Sequence, residues 1–346
     1  MEKALIHGLT RTEVAGLFKD LNEPAYRSDQ AWRWLYISRV EGWAGMTNLP
    51  AAVREKLAGA LSFSSLELVD SRKSGDSTAK LLARLSDGEA IELVVIPASR
   101  RTTVCVSSQV GCRFKCAFCA SGQSGFARNL EAGEMVEEVL LAARVYGEKP
   151  THVVFMGVGE PFDNYDNVMK AVRIINDQEG LAIGARRITI STCGVIPGIK
   201  RLADEKLQVE LSISLHAADD ALRTRLMPVN KKYPLSSLIE ACREYTLQTG
   251  RIITFEYTMV RNVNDSRKQA ESLARQLQNL QCRVNLIPLS VVDGYGETAS
   301  SSETCQLFIN TLAKAGINTT LRNSQGSELN AACGQLRASH AAEGKV

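Results

Sequence analysis

From about residue 101 onward, short β-rich runs alternate with helical patterns, and this rhythm constrains the fold more than any other feature of the chain. The runs TTVCVSS, THVVFMG, RRITIST, VELSISLH, IITFEYTMV, CRVNLIPL and NTTLRNS are separated by amphipathic stretches such as AGEMVEEVLLAARVYG and NYDNVMKAVRIIND. Strand–helix alternation means a parallel sheet with helices packed outside it. About six such units predict an α/β fold, a partial (β/α) barrel of the TIM type. In such a barrel the loops that follow the strands build the site.

The first hundred residues read differently. Residues 1–62 read as a small helical domain. Thr10 followed by Glu13 forms a capping-box pattern at the start of a helix. Trp32, Trp34 and Tyr36 lie at helical spacing and are expected to pack in a core. Residues 63–100 break into shorter segments with Gly and Asp between them, a β-rich linker leading into the barrel at 101–340.

The chain has 346 residues and a net charge of only +3, so global charge does not announce a nucleic-acid partner. No long uncharged apolar run is present, and the start of the chain lacks signal-peptide character; a cytoplasmic protein without membrane contact is expected. Nine cysteines in such a compartment are not a disulfide scaffold. Four of them, Cys105, Cys112, Cys116 and Cys119, fall close together. Cys193, Cys242, Cys282 and Cys305 are scattered and read as small core residues.

Cys112, Cys116 and Cys119 form a CxxxCxxC loop directly after the first barrel strand, where a barrel carries its chemistry. A 4Fe–4S cluster normally takes four thiolates, so three leave one iron open. An open iron can take the amino and carboxylate groups of S-adenosylmethionine, and an electron from the cluster then cleaves the sulfonium to a 5′-deoxyadenosyl radical. A zinc site is the competing reading. It would need a fourth ligand, yet no second CxxC exists and the four histidines are dispersed.

Larger blocks carry a resemblance. VCVSSQVGCRFKCAFCASG, GFARNL, VVFMGVGEP, RRITISTCGVIPGI, SLHAADDALRTRLMPVNKKYP, RVNLIPL and NAACGQL resemble the RlmN/Cfr family of radical S-adenosylmethionine RNA adenine methyltransferases over nearly the whole chain. The resemblance implies methylation of carbon 2 of an adenosine in 23S rRNA, with tRNA as a possible second substrate. Its alternative is carbon 8, the Cfr-type modification that gives ribosomal antibiotic resistance. It further implies a 4Fe–4S cluster on the three cysteines, two molecules of S-adenosylmethionine per turnover, an electron donor such as flavodoxin, and a monomer.

By the same resemblance, Gly159, Glu160, Ser191, Ser214, Leu215, His216 and Asn285 contact S-adenosylmethionine. Cys333 is methylated first. The radical then removes a hydrogen from that methyl, the resulting carbon radical adds to the adenine, and Cys105 attacks the Cys333 sulfur to release the product. Glu92 matches a proton acceptor; its plainer reading is a charged residue on an edge strand. Arg128, Arg186, Arg187 and Lys231 are candidate phosphate contacts. One departure is visible: LSVVDGYGE stands where an Asn-Pro pair is expected, which leaves the choice of carbon open. Two readings outside the family also stay open at this point: a radical enzyme with a non-RNA substrate, and a zinc-stabilised RNA-binding module.

Overall fold

The capping box at the start of the chain forms as its sequence dictates. In the computed structural model, which describes residues 3–123, 125–290 and 294–322, Thr10 opens α1 (Arg11–Asp20): its hydroxyl takes the Glu13 N–H while the Glu13 carboxylate takes the Thr10 N–H at 2.7 Å. Helix α2 (Tyr26–Arg33) runs on into a wide turn over Trp34–Ser38, and α3 (Ala51–Ala60) follows. Trp32 and Tyr36 are buried with ring centroids 4.4 Å apart, as core packing requires, whereas Trp34 is only half-buried.

Residues 66–98 extend the main sheet. They form β1 (Leu66–Lys73), β2 (Ala79–Leu85) and β3 (Ala90–Ala98), an antiparallel meander that is the first part of the main sheet. Strand β4 (Arg101–Cys105) pairs antiparallel with β3 and turns the sheet into its parallel part. A small two-stranded ribbon, β5 (Gln109–Gly111) with β6 (Phe126–Asn129), brackets the cysteine loop and the short α4 (Ala120–Gln123).

The parallel part continues through α5 (Ala132–Tyr146), β7 (His152–Phe155), α6 (Tyr165–Asn176), β8 (Ile188–Thr192), α7 (Ile196–Asp204) and β9 (Glu210–Ser214). It closes with α8 (Asp220–Leu226), α9 (Leu235–Thr249), β10 (Ile253–Met259), α10 (Arg267–Leu277), β11 (Cys282–Pro288), α11 (Ser302–Lys314) and β12 (Asn318–Leu321). The ten-strand order runs linearly from β1 to β12, so the sheet curves as an open, partial barrel. Every expected strand is present. Helix α7 has no counterpart among the helical stretches expected from the sequence, because IPGIKRLAD is short and carries both Pro and Gly.

The two faces of the parallel strands differ sharply. Ile190, Leu211, Ile213, Phe255, Tyr257, Val284 and Leu286 are fully buried against the helices. Their alternates Ser191, Ser212, Ser214, Glu256, Asn285 and Thr320 turn the other way and line a cavity of about 1200 Å³. Parallel strands covered on both faces read as continuous apolar runs. Here the polar alternates mark an interior kept for a ligand.

The amino-terminal helices dock on the barrel through several polar contacts: Lys170 of α6 pairs with Glu13 of α1 at 2.9 Å, the Trp32 ring donates to Asp177 at 3.2 Å, and a third lies at α5. The His7 ring lies 3.1 Å from Glu137 of α5, whose other oxygen accepts both the N–H and the hydroxyl of Ser65. Gly133 at the start of α5 lets this approach happen, since a Cβ there would stand 2.7 Å from the Gly8 nitrogen.

Candidate active site

Cys112, Cys116 and Cys119 all line the cavity, together with Phe114 and Phe118 of the same loop. The loop is held at both ends. Cys112 donates its N–H to the Gly125 carbonyl at 2.7 Å, and Ala117 donates to Leu226 at the end of α8 at 2.9 Å. Gly111 is obligatory there, with φ +77° and a Cβ position only 1.9 Å from the Gly125 oxygen. Arg113 stacks over Phe126 at 3.8 Å and pairs with Asp163 at 2.9 Å.

Burial pushes the Cys112 thiol up to about 12 and Cys116 well above the ordinary thiol range. Among the described residues no three His, Cys, Asp or Glu side chains already form a metal-holding group. The donor set itself fits a cluster bound through three thiolates: three sulfurs on one short loop, facing one cavity. Loading would displace three protons, as metal binding to thiols requires.

Cys105 ends β4 on the cavity side, 7% exposed, in register with Val94 of β3 and Val154 of β7. The structure therefore brings the fourth nearby cysteine to the same cavity as the loop. Cys333 lies outside the described residues. Cys193 departs from its expected role as a plain core residue: it is buried, but it lines this cavity.

The expected ligand contacts sort into three groups. Gly159, Ser191, Ser214 and His216 line the cavity directly. Gly159 adopts φ +107°, and a Cβ would stand 2.6 Å from Gln109; the glycines of this loop serve backbone-to-backbone packing on residues 106–109 more than approach to a ligand. His216 also has positive φ, +58°, and its ring meets Phe118 edge-on at 4.7 Å. Its Nδ1 accepts the Thr258 N–H at 2.9 Å, so the proton of the neutral ring sits on Nε2.

Glu160 and Asn285 line the cavity with their polar atoms already engaged. Glu160 accepts the Phe162 N–H at 3.0 Å and the Cys193 N–H at 2.7 Å, and burial raises its pKa. Asn285 donates to Glu256 and accepts from Thr320. Leu215 is different again: its side chain is fully buried in the core, its N–H donates to the Glu256 carbonyl at 3.0 Å and its carbonyl accepts from Arg223, so the structure does not bring it to the cavity wall.

Glu92 is not on an exposed edge. It is 3% exposed and paired with Lys80 of β2 at 3.0 Å, one strand away from Cys105. Arg128 is no open phosphate contact either. Its guanidinium is held by both oxygens of Glu134 and by Asp87. Arg187 and Lys231 are exposed; Arg186 is exposed and donates to Gln208.

Several residues that shape the site have no motif of their own. Arg223 of α8, completely buried, gathers the carbonyls of Cys193 (2.7 Å), Ser214 and Leu215 (both 3.3 Å) and the Asn230 side chain. Asn264 donates to the carbonyls of His216 and Thr258 and locks the strained turn at His216. Buried Glu138 accepts the Ser107 N–H with both oxygens. A buried ionisable group needs such partners, and Arg in the run DALRTRLMP and Glu in MVEEVLL, on otherwise apolar helix faces, are the signals that could have found two of them.

An open parallel barrel with a three-cysteine loop after its first parallel strand defines a radical S-adenosylmethionine enzyme, and residues 106–274 match the family model described as the radical SAM superfamily. Residues 5–62 match a second model, the ribosomal RNA large subunit methyltransferase N-terminal domain. A protein of Thermoanaerobacter sp. (strain X514), named a probable dual-specificity RNA methyltransferase RlmN, is 46% identical over 330 residues, covering 95% of this chain and 96% of that protein. Its namesake in Geobacillus kaustophilus (strain HTA426) is 45% identical, covering 96% and 92%. The crystal structure of a radical SAM methyltransferase from Sphaerobacter thermophilus superposes with a TM-score of 0.93 at 45% identity, over 96% of this chain and 98% of that one. The chain belongs to the RlmN family of radical SAM methyltransferases, whose cofactors are a 4Fe–4S cluster and S-adenosylmethionine. Among the described residues, no helix is long and apolar enough to cross a membrane.

Proposed function

We propose that the enzyme methylates carbon 2 of an adenosine in 23S rRNA, and of adenosine in tRNA, using two molecules of S-adenosylmethionine per turnover. The observation that carries this reading is the burial of Cys105 in the wall of the cavity that Cys112, Cys116 and Cys119 line. A radical enzyme that only abstracts hydrogen needs no further thiol there. An enzyme that resolves a covalent protein–RNA intermediate does.

Cys112, Cys116 and Cys119 would hold the cluster, which when bound would supply the electron that opens the sulfonium of S-adenosylmethionine. The chain's own residues do the rest. Ser191 and Ser214 offer hydroxyls to the cosubstrate, His216 offers a neutral Nε2–H, and Gly159 offers backbone. Glu160, tied to the Phe162 and Cys193 amides, keeps the wall behind them fixed. Cys333 would carry the methyl group as a thioether whose carbon, after losing one hydrogen atom, bonds to the adenine ring; the adduct gives back one electron to the group that supplied it and loses the ring proton, and Cys105 then attacks the Cys333 sulfur, breaking the carbon–sulfur bond so that the carbon takes up a proton, the methylated base is freed and a Cys105–Cys333 disulfide is left to be reduced. Glu92, held by Lys80, is the proton acceptor in this scheme. The target base must be unstacked to enter, as base-modifying enzymes require. A flavodoxin-like electron donor, a monomeric state and the cytoplasm complete the proposal.

The relatives named above are RlmN-type dual-specificity RNA methyltransferases and none of them is a Cfr-type enzyme, which supports the carbon-2 reading that the resemblance implies. The test is Cys105→Ala. A covalent RNA–protein adduct through Cys333 is expected to accumulate, visible as a shifted band on a denaturing gel. Free methylated RNA formed at the wild-type rate would sink the two-cysteine scheme. Mass spectrometry of the modified adenosine from wild-type reactions reads the position of the methyl directly.

A further inference from the structure

Glu256 of β10 stands among the cavity-lining side chains, 5% exposed, with one carboxylate oxygen engaged and the other not. Oε1 accepts from Asn285 at 3.2 Å and from Ser212 at 3.4 Å. Asn285 is itself fixed, because its Oδ1 accepts the Thr320 hydroxyl at 2.6 Å. Oε2 is buried and has no hydrogen-bond partner among the described residues. A buried acceptor left without a donor is costly, so native proteins satisfy such atoms with water or a ligand.

Three features narrow what the donor is. Glu256 is in register with Ser214 on one side and Asn285 on the other, the two strand positions read above as contacts to S-adenosylmethionine. Arg322 and Arg283 act on the carboxylate electrostatically, and two nearby cations disfavour an ammonium as the missing donor. The surrounding wall offers hydroxyls and an amide, which both give and accept hydrogen bonds. A neutral sugar hydroxyl, itself donor and acceptor, matches this wall. Acidic side chains take ribose hydroxyls in dinucleotide sites for the same reason.

We propose that Glu256 is a specificity-determining residue whose Oε2 accepts a hydrogen bond from a ribose hydroxyl of a nucleoside bound in the cavity, with Asn285 and Thr320 fixing its orientation. This rests on the functional reading above, in which two nucleosides enter the cavity: that of S-adenosylmethionine and the target adenosine.

The test uses cluster-reconstituted enzyme, wild type and Glu256→Gln, with S-adenosylhomocysteine and its 2′-deoxy and 3′-deoxy analogues titrated by calorimetry. A second arm uses a target oligoribonucleotide with and without 2′-deoxyadenosine at the modified position. Removing the recognised hydroxyl is expected to weaken wild-type binding roughly ten- to a hundredfold. The same removal should change binding to Glu256→Gln by less than about twofold, since the charged acceptor is already gone. Iron content and melting temperature report whether the variant is intact; Glu256→Asp, which keeps the charge but withdraws the oxygen, replaces it if not. A penalty abolished in the first arm assigns the hydroxyl to the cosubstrate, and one abolished in the second assigns it to the substrate. Penalties equal in wild type and variant in both arms overturn this inference alone. Wild-type enzyme that binds neither ligand overturns the functional reading and this inference with it.

Discussion

His216 and Thr258 are joined side chain to backbone across neighbouring strands: Nδ1 of the ring accepts the Thr258 N–H at 2.9 Å, and Asn264 clamps both carbonyls. Burial, with Arg223 nearby, pushes the His216 pKa down to about 3. The unfolded chain therefore binds a proton between that value and the ordinary histidine range that the folded chain does not. Stability from this group is fully present above about pH 6.5 and is lost as pH falls below it. Relative to His216→Gln, wild type should lose about 2 kcal/mol between pH 7 and pH 5. Paired urea melts at the two pH values check this. Parallel pH profiles for wild type and variant would show that the ring is not held neutral.

Gly159 sets the loop that follows β7. At φ +107° any side chain is strained, and a Cβ would stand 2.6 Å from the Gln109 Cβ and 2.8 Å from its nitrogen. Gln109 in turn takes the Glu160 N–H at 2.9 Å and donates to Asn129 and Asp163. Gly159→Ala should cost about 3 kcal/mol or more and loosen the cysteine-loop ribbon as well, because the clash is with backbone that cannot move alone. Denaturant unfolding measures the cost. Hydrogen exchange at residues 109–112 should rise with it, and an unchanged exchange pattern would contradict the coupling.

What was legible in the sequence follows from the physics of each feature. The strands were legible because alternating polar and apolar residues, as in the RRITIST and VELSISLH runs, have a period that only a strand satisfies. The cysteine loop was legible because three thiols at short spacing serve few purposes besides a metal. Leu215 could not be sorted from Ser214 and His216 by motif alone; only the chain's path puts its side chain in the core while theirs line the cavity. Arg128 looked like a surface base because sequence does not show Asp87 or Glu134 beside it. Residues 66–98 looked like a linker because antiparallel strands on the edge of a parallel sheet differ from it in pattern, yet pair with it in space.

The buried pair of Lys80 and Glu92, at 3.0 Å, separates a structural from a chemical role for Glu92. Removing the Glu92 carboxylate from beside a buried ammonium should cost about 3–5 kcal/mol. Replacing both, as Lys80→Met with Glu92→Leu, should recover most of that loss. If Glu92 also accepts a proton in the reaction, the recovered double variant remains slow in methylation while still forming 5′-deoxyadenosine. A double variant with both stability and methylation restored would reduce Glu92 to a packing role.

Arg223 is the group on which one wall of the cavity turns. It has no exposed surface, and its guanidinium reaches the carbonyls of Cys193, Ser214 and Leu215 and the Asn230 amide oxygen from one planar fork. These carbonyls end β8 and β9 and belong to the same turns that present Ser214 and His216 to the cavity. A lysine carries the charge but cannot span these acceptors in that plane. Arg223→Lys is therefore expected to keep the fold but lose about 2–4 kcal/mol, the range for breaking hydrogen bonds to a buried charge. The loss should be local as well as global. Amide exchange should speed up at residues 193–195 and 214–217, and S-adenosylhomocysteine should bind more weakly, while α1 to α3 exchange as in wild type. Equal protection at both turns in the lysine variant would mean that the strand ends hold themselves, and that Arg223 contributes only its charge.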